Sequence, residues 1–131
     1  MVEIHAYSKA ASGGKQLSAH FKVREFACGD GSDAVLVAPR LVMVLETIRT
    51  YFCAPVVIHS AYRTPQHNAK VNGAAHSQHC YGMAADISVS GQKPETVAAF
   101  ARTLMPDWGG VGVYDSFCHI DVREAKADWA G

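Results

Sequence analysis

With 131 residues, 49% of them hydrophobic, the chain is long enough for one domain with a real core. Twelve Lys and Arg residues balance twelve Asp and Glu, which argues against a general nucleic-acid binder with a basic surface stripe. The longest apolar stretch, Leu36 to Val44, is broken by Pro39 and Arg40, so no membrane insertion is expected.

Met1 to His5 lacks the basic and hydrophobic regions of a signal peptide. The expectation is synthesis in the cytoplasm without conventional export, with delivery by lysis or inside a larger particle left open. Residues 6–19 are rich in Ala, Ser, Gly and Lys and read as a loop-like lead-in. A short helical turn follows at His20–Phe26, with Phe21 and Phe26 facing the core, and then a loop at Gly29–Asp33. From Pro39 to Phe52, Leu41, Val44, Leu45, Ile48 and Phe52 recur at helical spacing behind a proline suited to a first turn.

Pro55–Ser60 reads as a strand, and Thr64-Pro65 as the cap and first position of a brief helix. Val71–His76 is a Gly/Ala loop. Ala84–Val89 is a strand whose alternation puts Asp86 and Ser88 on one face, Ile87 and Val89 on the other. Lys93-Pro94-Glu95 opens a helix running to about Thr103. Gly109–Tyr114 and Phe117–Val122 form a hairpin around Asp115-Ser116. The expected architecture is a single α+β domain with packed helices, its strands mainly in the second half.

Cys28, Cys53, Cys80 and Cys118 are too far apart for a zinc knuckle and are read as buried free thiols. The chemistry gathers elsewhere. His79 and Asp86 lie seven residues apart with small residues between them, and His119-Ile120-Asp121 forms a second compact pair. Two imidazoles and a carboxylate suit a zinc ion that keeps one position open for water. Cys80 beside His79 is a weak nucleophile candidate, because a ligating imidazole cannot also serve as its base. Gly109, Gly110 and Gly112 lack the Lys-Ser/Thr ending of a phosphate loop and are assigned to a turn and strand.

Ser77-x-His79-x-x-Gly82-x-Ala84-x-Asp86 followed by His119-x-Asp121 resembles the signature of the zinc D-Ala-D-Ala carboxypeptidase and peptidoglycan endopeptidase superfamily. That superfamily includes VanY-like enzymes and phage endolysins, and the similarity is to its small branch with a catalytic domain alone. Leu17-Ser18-x-His20-Phe21, Glu25-Phe26-x-Cys28, Ser60–Asn68 and Gly110-Val111-Gly112-x-Tyr114 resemble the same branch in the same order. The resemblance spans about residues 17–123, leaving 1–16 as the lead-in and 124–131 as a C-terminal tail. It implies a mainly antiparallel, hedgehog/D,D-peptidase-like sheet and one catalytic zinc held by His79, Asp86 and His119.

By the same resemblance Arg63 lies near the active site, where it holds a substrate carboxylate or polarises the reacting carbonyl; the alternative is a structural ion pair. Ser77 and Gln78 hydrogen-bond outer groups or line the cleft. Trp108 and Tyr114 line the cleft or pack at its rim. Many members carry an acidic residue three before the last histidine, or a histidine two before it; here Ser116 and Phe117 occupy those positions. Asp121 is preferred as the orienting or proton-handling residue, with His76 and Asp115 behind it. His67 and Asn68 are read as pinning the Arg63 loop, His67 being structural rather than a ligand. His59 is read as a packing residue, and His5 and His20 are remote.

The implied function is zinc-dependent hydrolysis of peptide bonds in peptidoglycan stem peptides or cross-links, by a monomeric D,D-carboxypeptidase or endopeptidase acting on muropeptides. A phage or prophage origin would suit a bare catalytic domain. The alternative is a non-catalytic zinc-containing module that binds the wall or builds a virion.

Overall fold

The computed structural model describes residues 1–131. In chain order the elements are β1 (His5–Ser8), α1 (Lys9–Ser12), β2 (Ala34–Val37), α2 (Pro39–Phe52), β3 (Val56–Ser60), α3 (Pro65–Lys70), β4 (Ala84–Val89), α4 (Pro94–Leu104), β5 (Gly110–Val113), β6 (Cys118–Asp121) and β7 (Ala127–Ala130). Two 3-10 turns, Val23–Phe26 and Gln78–Tyr81, punctuate the loops. No helix is long and apolar enough to cross a membrane.

β1 and β2 form a small antiparallel ribbon. The main sheet has the order β3-β4-β6-β5-β7, antiparallel except for the parallel β5–β7 pair. Its registers place Ser60 opposite Asp86, Asp86 opposite His119, His119 opposite Gly112, and Gly112 opposite Trp129. One line of residues therefore crosses all five strands. Because side chains alternate along a strand, the neighbouring lines point to the other face. Ile87 beside Cys118, and Ala85 beside Ile120 and Val111, supply that buried apolar face.

α2 and α4 pack on the apolar face, where Leu41, Leu45, Ile48, Val97, Ala98, Ala101 and Met105 are completely or almost completely buried. Each large aliphatic side chain so buried contributes about 1.5–3 kcal/mol. Pro39 and Pro94 stand at the first turns of their helices, where a missing N–H costs nothing. α2 ends on Cys53 in the left-handed region, with φ of 49°. Its thiol is exposed and Cys80 is only half-buried, against the expectation of buried cysteines; Cys28 and Cys118 are buried, and all four thiols are free. Burial pushes the Cys118 thiol up to about 12.

The two chain ends differ from the sequence reading. Residues 6–19 carry most of β1 and all of α1, and 127–130 form a strand of the main sheet. Both strands are four residues long, and each is completed by a partner distant in sequence, so local periodicity carries little of the signal.

Glu46 on α2 ties the preceding turn to the helix. Its Oε1 accepts from Ser18 Oγ (2.6 Å) and from the His20 backbone N–H (2.8 Å), and its Oε2 lies 2.6 Å from His20 Nδ1. Burial works to raise its pKa, but the Ser18 and His20 hydrogen bonds outweigh it and hold the group below its ordinary value of 4.5. A depressed carboxylate stabilises the fold above the unfolded pKa and loses that contribution as pH falls through the folded one. Glu46→Ala is expected to cost about 2 kcal/mol in urea unfolding at pH 7. The difference from wild type should shrink as pH falls below 4.5; a gap unchanged in acid would contradict the clamp.

Candidate active site

On the other face of the sheet, His79, Asp86 and His119 converge. One donor atom from each lies within 4.8 Å of the other two, and all three residues are buried. The 3-10 turn Gln78–Tyr81 presents His79, with Ser77 Oγ capping it through the His79 backbone N–H. The turn ends at Gly82, whose φ of 74° places it in the left-handed region that glycine adopts readily. A Cβ there would also strike the Leu36 backbone at 2.6 Å. β4 and β6 supply Asp86 and His119 as direct cross-strand neighbours.

Outer hydrogen bonds orient both rings. His79 Nδ1 lies 2.7 Å from the Ala61 carbonyl, a pure acceptor, so Nδ1 donates and Nε2 is left facing Asp86 Oδ1 at 3.2 Å. His119 Nε2 lies 2.8 Å from Asp121 Oδ2 and donates to it, turning Nδ1 towards the same Asp86 oxygen at 3.0 Å. Three donors that would otherwise repel thus crowd around one point. Ligand atoms about 2 Å from a tetrahedral metal stand about 3.3 Å apart, which matches these separations. The imidazole, imidazole and carboxylate set suits zinc, and each imidazole's remote nitrogen has the outer partner expected of a ligand.

The electrostatics favour a cation there. Burial opposes ionisation of Asp86, yet hydrogen bonds from His119 and His79 in their protonated forms outweigh it and hold its pKa well below the usual carboxylate range. Burial likewise opposes charge on His119, but Asp121 and Asp86 outweigh it and raise the pKa of the ring. Positive charge on the His119 ring is therefore favoured between the two carboxylates, and a metal ion would take the place of its inward proton.

Asp121 sits behind His119. It is fully buried, and Arg123 grips it through Nε (2.8 Å to Oδ1) and Nη2 (2.6 Å to Oδ2). Despite burial, the His119 and Arg123 hydrogen bonds keep its carboxyl well below the ordinary range. Gly110 makes room for it, since a Cβ at that position would come within 2.3 Å of Asp121 Oδ2. Gly112 does the same for Trp129, whose ring would lie 2.5 Å from the added carbon. The alternating glycines of β5 are thus spaces for the site.

Arg63 flanks the cluster. Its Nη2 donates to Asp86 Oδ2 at 3.3 Å, while Ser60 Oγ and Asn68 Oδ1 accept from Nε and Nη1. Asn68 in turn donates to the Ala74 carbonyl, so it braces the Arg63 loop as expected. His76 and Asp115 are not brought to the cluster. His76 is exposed and reaches only the Tyr81 hydroxyl, at 3.5 Å; Asp115 is exposed in the β5–β6 turn. Ser77 is a cap, and the buried Oε1 of Gln78 has no hydrogen-bond partner. Tyr114 stacks on Phe117 and accepts from Trp129 Nε1 at 2.9 Å. His59 is exposed on β3 and pairs with Ser88 Oγ.

The model of the family described as Peptidase M15 matches residues 13–121. The chain belongs to the peptidase M15 family. With its metal-binding triad, it is a zinc-dependent metallopeptidase. No curated protein matches it. Two side chains of the M15 site lie beyond the matched span and were absent from the sequence reading. Arg123 locks Asp121, and the Trp129 ring lies 5.0 Å from that of His119 and 5.4 Å from the Arg123 guanidinium. For Arg123 a signal existed, because residues two apart in extended chain share a side with Asp121. Trp129 had none without β7.

Asp121→Asn keeps an acceptor for His119 but removes the charge that strengthens the hydrogen bond. Metal affinity measured by chelator competition is expected to fall about 10- to 100-fold with the circular dichroism spectrum retained. An unchanged affinity would show that Asp121 does not position His119.

Proposed function

We propose that this M15 peptidase hydrolyses peptide bonds in bacterial peptidoglycan, as a D,D-carboxypeptidase or endopeptidase acting on stem peptides or cross-links. The observation that carries the reading is the buried convergence of His79, Asp86 and His119 with both remote ring nitrogens occupied. These three residues would hold a single zinc ion. When bound, zinc supplies Lewis acidity, polarising a carbonyl and lowering the pKa of a water.

The chain's own residues set the conditions for that chemistry. Ala61 and Asp121 fix which imidazole nitrogens face inward. Asp121 acts through His119 as a positioning residue, since its two oxygens are taken up by His119 and Arg123. Arg63 holds the outer oxygen of Asp86, leaving Oδ1 as the inward donor. Its side chain is 16% exposed, and the guanidinium also suits a substrate carboxylate or a developing oxyanion beside the cluster. Trp129 and Tyr114 form an aromatic wall next to His119, suited to the apolar parts of a peptide. Action on the wall after lysis, or from a phage or prophage particle, belongs to the same reading.

Digestion of defined muropeptides tests it. The wild-type protein with about one equivalent of zinc at this centre is expected to cut D-Ala-D-Ala stems or cross-links. Asp86→Ala should lose that zinc and reduce cleavage about 1,000-fold or more, equivalent to about 4 kcal/mol of barrier. Zinc bound by a folded wild-type protein that cuts no muropeptide would overturn the proposal.

A further inference from the structure

We infer that Cys28, Asp30 and His67 form a second metal site, for a divalent transition ion such as zinc, separate from the His79–Asp86–His119 centre. The Cys28 Sγ, a carboxylate oxygen of Asp30 and an imidazole nitrogen of His67 all lie within 4.8 Å of one another. Two segments meet there. Cys28 and Asp30 flank Gly29 in the loop after the Val23–Phe26 turn, and His67 projects from the first half of α3. A Cβ on Gly29 would lie 3.6 Å from His67 Nε2, so the ring sits directly over the Cys28–Asp30 backbone.

The donors are held for convergence. Asp30 Oδ1 accepts from the Ser32 backbone N–H at 2.9 Å, and Oδ2 accepts from Thr64 Oγ1 at 2.8 Å. The Thr64 hydroxyl oxygen also accepts from the His67 backbone N–H at 3.2 Å, as the N-cap of α3. One hydroxyl thus joins the carboxylate to the backbone of the imidazole. Hydrogen bonds from Ser32 and Thr64 keep Asp30 ionised well below the usual range. Cys28 is 3% exposed, while Asp30 faces solvent, so the group has a buried soft donor and an open side.

The donor types select the ion. Sulfur, imidazole nitrogen and a single carboxylate favour zinc-like borderline metals over magnesium or calcium, which prefer oxygen. Coordination releases the Cys28 thiol proton to solvent. Thiolate, carboxylate and neutral imidazole then balance a dication, with water completing the shell on the Asp30 side. From the sequence alone His67 reads as structural rather than as a ligand. In this site it is both: the ion would tie the Cys28–Asp30 loop to α3, whose next residue, Asn68, braces Arg63 beside Asp86.

Cobalt(II) distinguishes this site from the first, because only Cys28 adds sulfur to either donor set. The full-length protein, stripped of metal and kept reduced, is titrated with cobalt(II). Two equivalents should bind, one of them with a near-ultraviolet thiolate-to-cobalt charge-transfer band. Cys28→Ser and His67→Ala should each abolish the band and one equivalent. Asp86→Ala should lose the other equivalent and keep the band, and Cys80→Ser should keep both. His67 and Asp30 are less buried than Cys28, so His67→Ala and Asp30→Asn still decide the matter if Cys28→Ser does not fold. One equivalent without the band, or a band that survives Cys28→Ser or His67→Ala, would overturn the site. A failure of muropeptide cleavage would leave this titration result untouched.

Discussion

Asp86 is the constraint around which the site is built. Its Oδ1 lies within 3.2 Å of nitrogens from two buried histidines, one reaching in from a 3-10 turn and one from the neighbouring strand. A buried carboxylate is costly unless charge and hydrogen bonds compensate it. Here Arg63 takes its outer oxygen, and the inner one faces the two rings' inward nitrogens, where a proton or a metal ion would compensate it. The β4–β6 register is fixed by the same requirement. A one-residue slip of β4 would turn Asp86 into the helix-packed core and bring Ile87 or Ala85 to the site beside His119.

The line Ser60–Asp86–His119–Gly112–Trp129 shows how the sheet distributes the remaining tasks. Ser60 steadies Arg63, Asp86 and His119 converge, Gly112 leaves space, and Trp129 fills that space. Two residues along β5, Gly110 opens room for Asp121. Opposite this polar face, α2 and α4 bury the apolar one, so rigidity behind the site comes from ordinary core packing. The site is thereby held on strands rather than on loops, except for His79 and Arg63. Those two are secured by main-chain hydrogen bonds, Arg63 N–H to the His79 carbonyl and Tyr62 N–H to the Phe26 carbonyl.

Much of this was legible in the sequence, and the reasons are local. α2 follows from Pro39 and the spacing of Leu41, Leu45 and Ile48; α3 follows from Thr64-Pro65; β4 follows from its alternation. The ligand triad was legible through the spacing of His79, Asp86 and His119 and the resemblance around them. What was not legible depends on distant pairing. β1 needs β2 and β7 needs β5, and neither Ala127–Ala130 nor His5–Ser8 signals a strand by itself. With β7 missing, Trp129 could not be placed beside His119. His76 and Asp115 drew attention as ionisable residues near the ligands in sequence, but both turn to solvent while the sheet places Asp121 behind His119.

The central claim is that His79 Nε2, Asp86 Oδ1 and His119 Nδ1 are the inward donors of a catalytic zinc. A crystal structure with anomalous data collected on both sides of the zinc absorption edge tests it most directly. The account predicts a strong zinc-specific peak about 2 Å from each of those three atoms, with Asp121 still bonded to His119 Nε2. A zinc-loaded crystal with no peak there, or with the metal on the opposite ring nitrogens, would contradict it.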